Sequence, residues 1–269
     1  MKMLNGRDLA EYIQERQARE VRSLRQAWHV QPKLAIILTG NHAPSELYVR
    51  KKQQYGAEVL VAVEVHRLEQ SAVPALISEL NNDSKVHGII VQLPLQDPTE
   101  TDAICNLIAP EKDVDALGER AVHDPATPMA ILWLLAGYNV DVVHSKIALV
   151  GRGRLVGAPL EKMFTQSGYD FTVVNTKTPD IAAVLREADI VISATGRAGL
   201  ITADMIKKGA VVVDAGVAGE KGKTVGDLDA SVYERDDLTL TPRKGGVGPL
   251  TICALFENVI RAARATVKG

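Results

Sequence analysis

Tyr48 and Lys52 are the residues whose types and spacing most directly suggest chemistry. They lie four residues apart in the segment Ser45–Lys52, whose neighbours can form a helix. At that spacing both side chains project from one helical face. A phenol and an amine held together can pass a proton, and the pKa of the lysine falls if its surroundings exclude water. The alternative is a surface pair on an amphipathic helix, and the pair alone does not decide between the two.

A second candidate is the glycine-containing loop from Gly151 to Gly157, which follows a predicted strand and opens a predicted helix. Glycines there let the backbone approach a phosphate, and the helix N-terminus supplies N–H groups and positive potential. The third glycine comes one position later than in the standard dinucleotide fingerprint, so a plain strand-to-helix turn is the alternative. The regular alternation of strands and helices around the loop favours a dinucleotide site.

The strand that follows this loop bears on which dinucleotide is bound. Phe171–Val174 runs into Asn-Thr-Lys-Thr at 175–178, with no carboxylate at the strand end. A carboxylate at that place holds the ribose hydroxyls of NAD. Arg152 and Arg154 add positive charge that suits the extra phosphate of NADP. We therefore predict NADP, and the alternative is that these are solvated loop residues.

The elements that must position these residues alternate along the chain, which predicts parallel βαβ units and the α/β class. Strands are predicted at Lys33–Leu38, Val59–Val65, Gly88–Leu93, Lys146–Val150, Phe171–Val174, Ile190–Ser193, Ala210–Asp214 and Leu238–Leu240. Helices are predicted at 7–27, around Tyr48 and Lys52, and at Val73–Leu80, Met129–Leu135 and Leu250–Val267.

Two lobes are expected, because 269 residues exceed the usual size of one hydrophobic core. Gly118, Asp124 and Pro125 interrupt the periodicity near 118–126. We predict an N-terminal α/β catalytic lobe, residues 1–120, with the C-terminal helix 250–269 packing back on it. Residues 121–249 are predicted to form a Rossmann-like dinucleotide-binding lobe.

Composition excludes several classes of function. A net charge of −2 gives no reason to expect binding to nucleic acid or an anionic membrane. Cys105 and Cys253 lie in apolar surroundings and are predicted to be buried, reduced thiols, and no Cys/His cluster predicts a metal site. No apolar run is long enough to span a bilayer, and no apolar signal core is present near Met1, so we expect a cytoplasmic protein.

Three further segments occur in a fixed order with the first one: Val91–Leu95, Pro110–Asp115 and Thr241–Thr251. In this order and with these intervals, the chain resembles the bifunctional methylenetetrahydrofolate dehydrogenase/methenyltetrahydrofolate cyclohydrolase family. The resemblance extends from Leu4 to Asn258 and includes Gly151–Pro159 and Val225-Gly226-Asp227. Each string is weak by itself, whereas the ordered set is specific.

The resemblance implies roles for particular residues. Lys52 is expected to transfer protons in the cyclohydrolase reaction, Tyr48 to stack near the pterin and share hydrogen bonding with Lys52, Gln92 to position Lys52, and Asp115 to grip the polar edge of the pterin. The other residues expected to line the folate site are Leu93, Gly245, Gly246, Val247 and Pro249. Those expected at the cofactor, with Arg152 and Thr176 at its adenosine end, are Gly151, Arg152, Gly153, Val156, Thr176, Thr195, Gly196 and Val217.

The activity implied is NADP-dependent oxidation of 5,10-methylenetetrahydrofolate to 5,10-methenyltetrahydrofolate, followed by hydrolysis to 10-formyltetrahydrofolate. Hydride transfer mostly needs alignment, whereas water attack and ring opening need a proton carrier such as Lys52. The resemblance also implies a homodimer in one-carbon metabolism and purine biosynthesis, acting on folates that can carry polyglutamate tails.

The chain departs from the family pattern at four places. Ala116 stands where the family usually has Gly, Gly153 where Ser is common, and Arg243-Lys244 where Val-Pro is usual, and the segment 117–127 is shortened. Alternatives are a monofunctional cyclohydrolase, a decayed folate-binding protein, or another two-lobed dehydrogenase of the shikimate or amino-acid type. The last should lack the set formed by Tyr48, Lys52, Gln92 and Asp115.

Overall fold

A computed structural model describes residues 1–220 and 223–267 and has the predicted α/β architecture. The strands are β1 (Lys2–Met3), β2 (Lys33–Leu38), β3 (Ala62–Arg67), β4 (Gly88–Val91), β5 (Ile147–Val150), β6 (Phe171–Val174), β7 (Ile190–Ser193), β8 (Val211–Asp214), β9 (Ala218–Glu220), β10 (Lys223–Val225) and β11 (Thr239–Leu240). The α-helices are α1 (Gly6–Trp28), α2 (Ala43–Glu58), α3 (Val73–Asn82), α4 (Thr101–Cys105), α5 (Ala126–Gly137), α6 (Gly157–Ser167), α7 (Ile181–Glu187) and α8 (Val247–Ala265).

The chain divides into two compact units. The three-strand unit comprises Glu11–Ala126 and Ile252–Gly269, and the six-strand unit comprises Met1–Ala10 and Thr127–Thr251. Residues 1–10, which the sequence placed in the first lobe, therefore belong with the larger sheet. The reason is that Lys2 and Met3 pair with β11 as an edge strand.

The three-strand unit is built on a parallel sheet in the order β3-β2-β4. Strand β2 is buried from Leu34 to Leu38, and α3 packs Val73, Ile77 and Leu80 into the same apolar cluster. The predicted strand at Val59 begins only at Ala62, because α2 continues to Glu58 and Leu60 adopts a φ of 63° in the turn.

The C-terminal helix α8 packs in this unit, as predicted. Tyr55 Oη donates to Gln17 Oε1 at 2.7 Å, and Gln17 Nε2 donates to the carbonyl of Cys253 at 2.9 Å. The rings of Tyr55 and Phe256 lie with their centroids 5.1 Å apart. Asn258 Nδ2 donates to the carbonyl of Asp124 at 2.8 Å, which is one reason why the first unit reaches Ala126 rather than residue 120.

The six-strand unit contains the parallel sheet β1-β11-β8-β7-β5-β6. Strands β5 and β7 are buried throughout, which is typical of parallel sheets covered on both faces. The order β6-β5-β7-β8-β11 is a doubly wound order in which the chain reverses direction between β5 and β7. Ligands of such sheets bind at the carboxyl ends of the strands beside the reversal, so the loops after β5 and β7 are the expected site.

Within the described residues, no helix combines the length and apolar character needed to cross a bilayer. In the same residues, no group of three or more His, Cys, Asp and Glu side chains has the arrangement of a metal site. Cys105 and Cys253 are both buried, and burial raises the pKa of Cys253 to about 11.

Candidate functional site

Lys52 and Gln92 form the centre of the candidate site in the three-strand unit. Lys52 lies in the third turn of α2, and Gln92 directly follows the buried strand β4. Lys52 Nζ donates to Gln92 Oε1 at 2.9 Å in a partly buried position. Burial lowers the pKa of Lys52, while the negative charge of Asp115 acts in the opposite direction. The lysine can therefore lose its proton more easily than a lysine in water.

Ser45 shares a hydrogen-bond acceptor with the Gln92 amide and was given no role in the sequence prediction. Gln92 Nε2 donates to the Leu93 carbonyl at 3.1 Å, which turns Oε1 toward Lys52. The hydroxyl of Ser45, which is 2% exposed, donates to the same carbonyl at 3.3 Å. The only signal in the sequence was a small polar residue in the first turn of the helix that carries Lys52.

Tyr48 lies on the same helix and is 41% exposed. The Lys51 ammonium group lies 5.6 Å from the centroid of that ring, whereas the Lys52 ammonium donates to Gln92. Shared hydrogen bonding between Tyr48 and Lys52 thus stays a prediction. The exposed aromatic face is suited to stacking against a flat ligand ring.

Asp115 lies close enough to Lys52 to affect its pKa, and the neighbouring Asp113 shapes the turn that presents it. Asp113 is 2% exposed and accepts hydrogen bonds from the backbone N–H groups of Gly118 at 2.7 Å and Leu117 at 3.4 Å. Burial raises the pKa of Asp113. Ala116 has a φ of 55° in this turn, which explains why Gly is the residue expected there.

In the six-strand unit, the loop after β5 admits only glycine at two positions. Gly151 has a φ of 98°, and a Cβ there would lie 2.7 Å from the Ala194 carbonyl oxygen. A Cβ on Gly157 would overlap the Gly151 carbonyl oxygen and lie 2.8 Å from Arg152 Cα. Gly153, by contrast, has room for a side chain, since the nearest atom to its Cβ is 3.8 Å away. Val156 precedes α6 and accepts the hydrogen bond of the Leu160 N–H at 2.9 Å.

Arg152 is already engaged within the unit. Its Nε donates to Glu161 Oε2 at 2.5 Å, although the arginine side chain is 63% exposed. At the end of β6, Asn175 Oδ1 accepts from the Lys177 N–H at 2.8 Å in a tight turn, and Thr176 is exposed. The strand end therefore offers hydroxyl and amide groups and no carboxylate, as the prediction of NADP requires.

The loop after β7 is held by Asp227, whose role the sequence did not reveal. Asp227 is fully buried and accepts from Ser193 Oγ at 2.6 Å, from the Thr195 N–H at 2.7 Å and from the Arg197 N–H at 2.9 Å. Asp214 in turn accepts from the N–H of Asp227 at 3.1 Å. The signal available beforehand was only that Asp227 belongs to a family motif.

Two other expected cofactor residues lie beside this loop. Gly196 has a φ of 66°, and a Cβ there would lie 3.2 Å from the Val217 carbonyl oxygen. Val217 is 60% exposed, which leaves an apolar side chain at the carboxyl edge of the sheet. Thr195, Gly196 and Val217 are thus close together in the structure.

The remaining predicted folate residues lie at the start of α8 in the six-strand unit. Gly245 has a φ of 87°, its carbonyl accepts from the Gly6 N–H at 2.8 Å, and Gly246, Val247 and Pro249 follow. The Arg243 guanidinium lies 4.2 Å from the centroid of the Tyr233 ring. Burial raises the pKa of Tyr233 to about 12.

The fold and these residues define a two-unit α/β protein with a glycine-loop nucleotide site and a lysine–glutamine pair. The family model for the catalytic domain of tetrahydrofolate dehydrogenase/cyclohydrolase matches residues 4–115, and the model for its NAD(P)-binding domain matches residues 125–267. The chain belongs to the tetrahydrofolate dehydrogenase/cyclohydrolase family, which confirms the resemblance.

Similar proteins cover nearly the whole chain. The bifunctional protein FolD of Moorella thermoacetica is 39% identical over 97% of this chain and 98% of its own length, and FolD of Geobacillus kaustophilus is 39% identical over 97% of both. The FolD crystal structure from Campylobacter jejuni has a TM-score of 0.92 with 34% identity and covers 99% of both chains. FolD from Trypanosoma brucei, solved with NADP and an inhibitor, has a TM-score of 0.92 with 31% identity over 99% of this chain and 98% of that one.

Proposed function

We propose that this protein is a bifunctional folate enzyme that oxidises 5,10-methylenetetrahydrofolate with NADP and hydrolyses the resulting methenyl compound to 10-formyltetrahydrofolate. The observation that carries the proposal is the partly buried Lys52–Gln92 hydrogen bond, with its lowered lysine pKa, in a member of this family. The three-strand unit supplies the proton-transfer residues, and the six-strand unit supplies the cofactor site.

The loops of the six-strand unit fit NADP. Gly151 and Gly157 bring the backbone close together at the start of α6, where the positive end of the helix favours a pyrophosphate. Arg152 and Thr176 offer donors toward the extra phosphate, and Thr195 and Val217 border the loop after β7. NADP, when bound, supplies the nicotinamide ring that accepts the hydride from the methylene bridge, so the task of these residues is alignment.

The hydrolytic step depends on the three-strand unit. Water adds to the methenyl carbon, one carbon–nitrogen bond of the ring opens, and one proton is released per turnover. A lysine with a lowered pKa can take up and return that proton, and the Gln92 oxygen holds its ammonium group in place. Tyr48 is proposed to stack on the pterin, and Asp115 to accept hydrogen bonds from its polar edge.

Replacing Lys52 tests this division of roles. Lys52→Met should nearly abolish cyclohydrolase activity and leave hydride transfer measurable, because only hydrolysis needs the proton carrier. Arg50→Met removes an exposed cation from the same helix and should leave both activities near wild type. If Lys52→Met loses both activities equally while its circular dichroism spectrum shows that it is still folded, the proposed role is contradicted.

Asp115→Ala provides a separate test of folate binding. Removing a carboxylate that accepts from the pterin should weaken binding of a folate analogue by about 1–3 kcal/mol, because ligand donors are left unpaired. NADP affinity should hardly change. Calorimetric titration with each ligand measures both effects, and unchanged folate affinity would make Asp115 a structural residue of its turn.

We further propose that Arg243 and Lys244 favour substrates with polyglutamate tails. Two adjacent cations attract an anionic chain, and salt screens such exposed attraction within about 8–10 Å. Affinity for a polyglutamylated folate should therefore fall with added salt more steeply than affinity for the monoglutamate. The double change Arg243→Val and Lys244→Pro should remove that difference. If both tail lengths show the same salt dependence before and after the change, the two cations do not meet the tail.

We also propose that the protein acts as a cytoplasmic homodimer in one-carbon metabolism and purine biosynthesis. Its relatives include bifunctional FolD proteins of bacteria, and light scattering of the purified protein would establish the number of subunits. A monomer that retains full activity would contradict the dimer.

A further inference from the structure

We propose that Glu161 limits the preference of this protein for NADP, because it competes with the 2′-phosphate for Arg152. The inference rests on the proposed NADP-dependent function and goes beyond it, since it assigns the specificity to a residue outside the glycine loop. Glu161 lies on α6, four residues after Gly157.

The contact between Glu161 and Arg152 is direct. Glu161 Oε2 accepts from Arg152 Nε at 2.5 Å, and the hydrogen bond and the negative charge of Glu161 both raise the pKa of Arg152. The glutamate side chain is 25% exposed, against 63% for the arginine. The carboxylate of Glu161 is therefore the less exposed partner of the pair, and the guanidinium of Arg152 is the more exposed one.

Because β6 ends without an acidic residue, the carboxylate of Glu161 becomes important for the choice between NADP and NAD. Proteins that prefer NAD commonly place an acidic residue at the end of the second strand, where it binds the ribose hydroxyls and repels a 2′-phosphate. Here that strand ends in Asn175 and Thr176, and Asn175 uses its side-chain oxygen within its own turn. The acidic group near the phosphate-binding arginine comes instead from α6.

Glu161 should act on NADP in two ways. It neutralises part of the charge of Arg152, which the 2′-phosphate must share or displace, and its own charge repels a phosphate brought to that arginine. Exposed ion pairs are individually weak, typically below about 1 kcal/mol. We therefore expect a moderate effect of about two- to fivefold on NADP affinity. NAD lacks the phosphate and should respond by less than about twofold.

The test measures the dissociation constants of NADP and NAD by titration of the purified full-length protein. Glu161→Gln keeps the size of the side chain and one acceptor oxygen but removes the charge. Glu187→Gln removes an exposed carboxylate elsewhere in the same unit and serves as the matched control. Arg152→Ala and the double variant Arg152→Ala/Glu161→Gln complete a double-mutant cycle, which measures how far the effect of Glu161 depends on Arg152.

Glu161→Gln should raise the ratio of NADP to NAD affinity about two- to fivefold, and added salt should reduce the gain. Glu187→Gln should not change the ratio, and the gain should shrink in the Arg152→Ala background. An unchanged or lower ratio in Glu161→Gln, while Arg152→Ala still erodes the NADP preference, would overturn the inference and leave the proposed function intact. If Arg152→Ala has no effect on either cofactor, the phosphate role of Arg152 fails, and this inference fails with it.

Discussion

Replacing Gly157 by alanine should damage the cofactor site, because the structure leaves no space for a Cβ there. The added carbon would overlap the Gly151 carbonyl oxygen and lie 2.8 Å from Arg152 Cα. Carbon atoms normally approach to about 3.5–4.0 Å, so the loop and the start of α6 must separate by about 1 Å. Forcing extra volume into a packed site typically costs about 1–3 kcal/mol.

The same displacement should weaken NADP binding, since the loop after β5 and the start of α6, where the pyrophosphate is proposed to bind, lie in the part that moves. We expect the free energy of unfolding to fall by about 1–3 kcal/mol in Gly157→Ala. NADP affinity should fall about tenfold or more, because the loss of one hydrogen bond to a charged phosphate amounts to about 1.5–3 kcal/mol. Urea denaturation measures the first effect, and titration of the native protein with NADP measures the second.

Gly153→Ala is the matched control. Its Cβ would have the carbonyl oxygen of Ala194 as nearest atom, at 3.8 Å, which is an ordinary contact. Its stability should change by no more than about 0.5 kcal/mol, and NADP affinity should be retained. If Gly157→Ala matches Gly153→Ala in both stability and NADP affinity, the close approach of the loop to α6 does not shape the cofactor site, and the reasoning is refuted.

Three other predictions concern single positions. Asp227→Asn should lower the free energy of unfolding by about 2–3 kcal/mol, because an amide cannot accept all three hydrogen bonds of the buried carboxylate. Urea denaturation measures this change. The control is Asp236→Asn at an exposed position, whose free energy of unfolding should stay within about 0.5 kcal/mol of wild type. Ala116→Gly should stabilise the protein by up to about 1 kcal/mol, since glycine relieves the left-handed φ at a smaller entropic cost, and a lower urea midpoint would contradict it. Finally, the lowered pKa of Lys52 means that the unfolded chain binds more protons than the folded one between that pKa and the ordinary value of about 10.4. The free energy of unfolding of the wild type should therefore rise with pH across that window, and that of Lys52→Met should not. Urea denaturation of both proteins at several pH values measures this. If the free energies of unfolding of the two proteins change with pH in parallel, the reasoning is refuted.

The pattern of strands and helices was predictable where local sequence determines it. The buried strands β2, β5 and β7 are continuous apolar runs, and such runs rarely form anything else between turn residues. β1 was missed because Lys2 and Met3 form a strand only through pairing with Thr239 and Leu240, which lie more than two hundred residues away. The start of β3 was placed too early because Val-rich composition does not show where a preceding helix ends.

The candidate site was predictable in its residue types, whereas its hydrogen-bond partners were predictable only in part. Spacing on one helix suggested only a Tyr48–Lys52 pair. The hydrogen bond of Lys52 goes to Gln92, forty residues away, and that partner was expected only from the family resemblance. Likewise, Arg152 was correctly placed in the glycine loop, but its pairing with Glu161 depends on the rotamers of both side chains. Asp227 could not be given a role because its three donors come from a loop thirty residues earlier, which only the sheet brings close.

The most direct test of the proposed function is one reaction of purified protein with 5,10-methylenetetrahydrofolate and NADP, in which reduced nicotinamide and 10-formyltetrahydrofolate are measured together. The proposed function predicts that both products form at enzymatic rates and in matching amounts, and that NAD in place of NADP gives slower reduction. The absence of reduced nicotinamide, or its formation while the methenyl compound is hydrolysed no faster than in a sample without protein, would contradict the claim that this chain catalyses both steps.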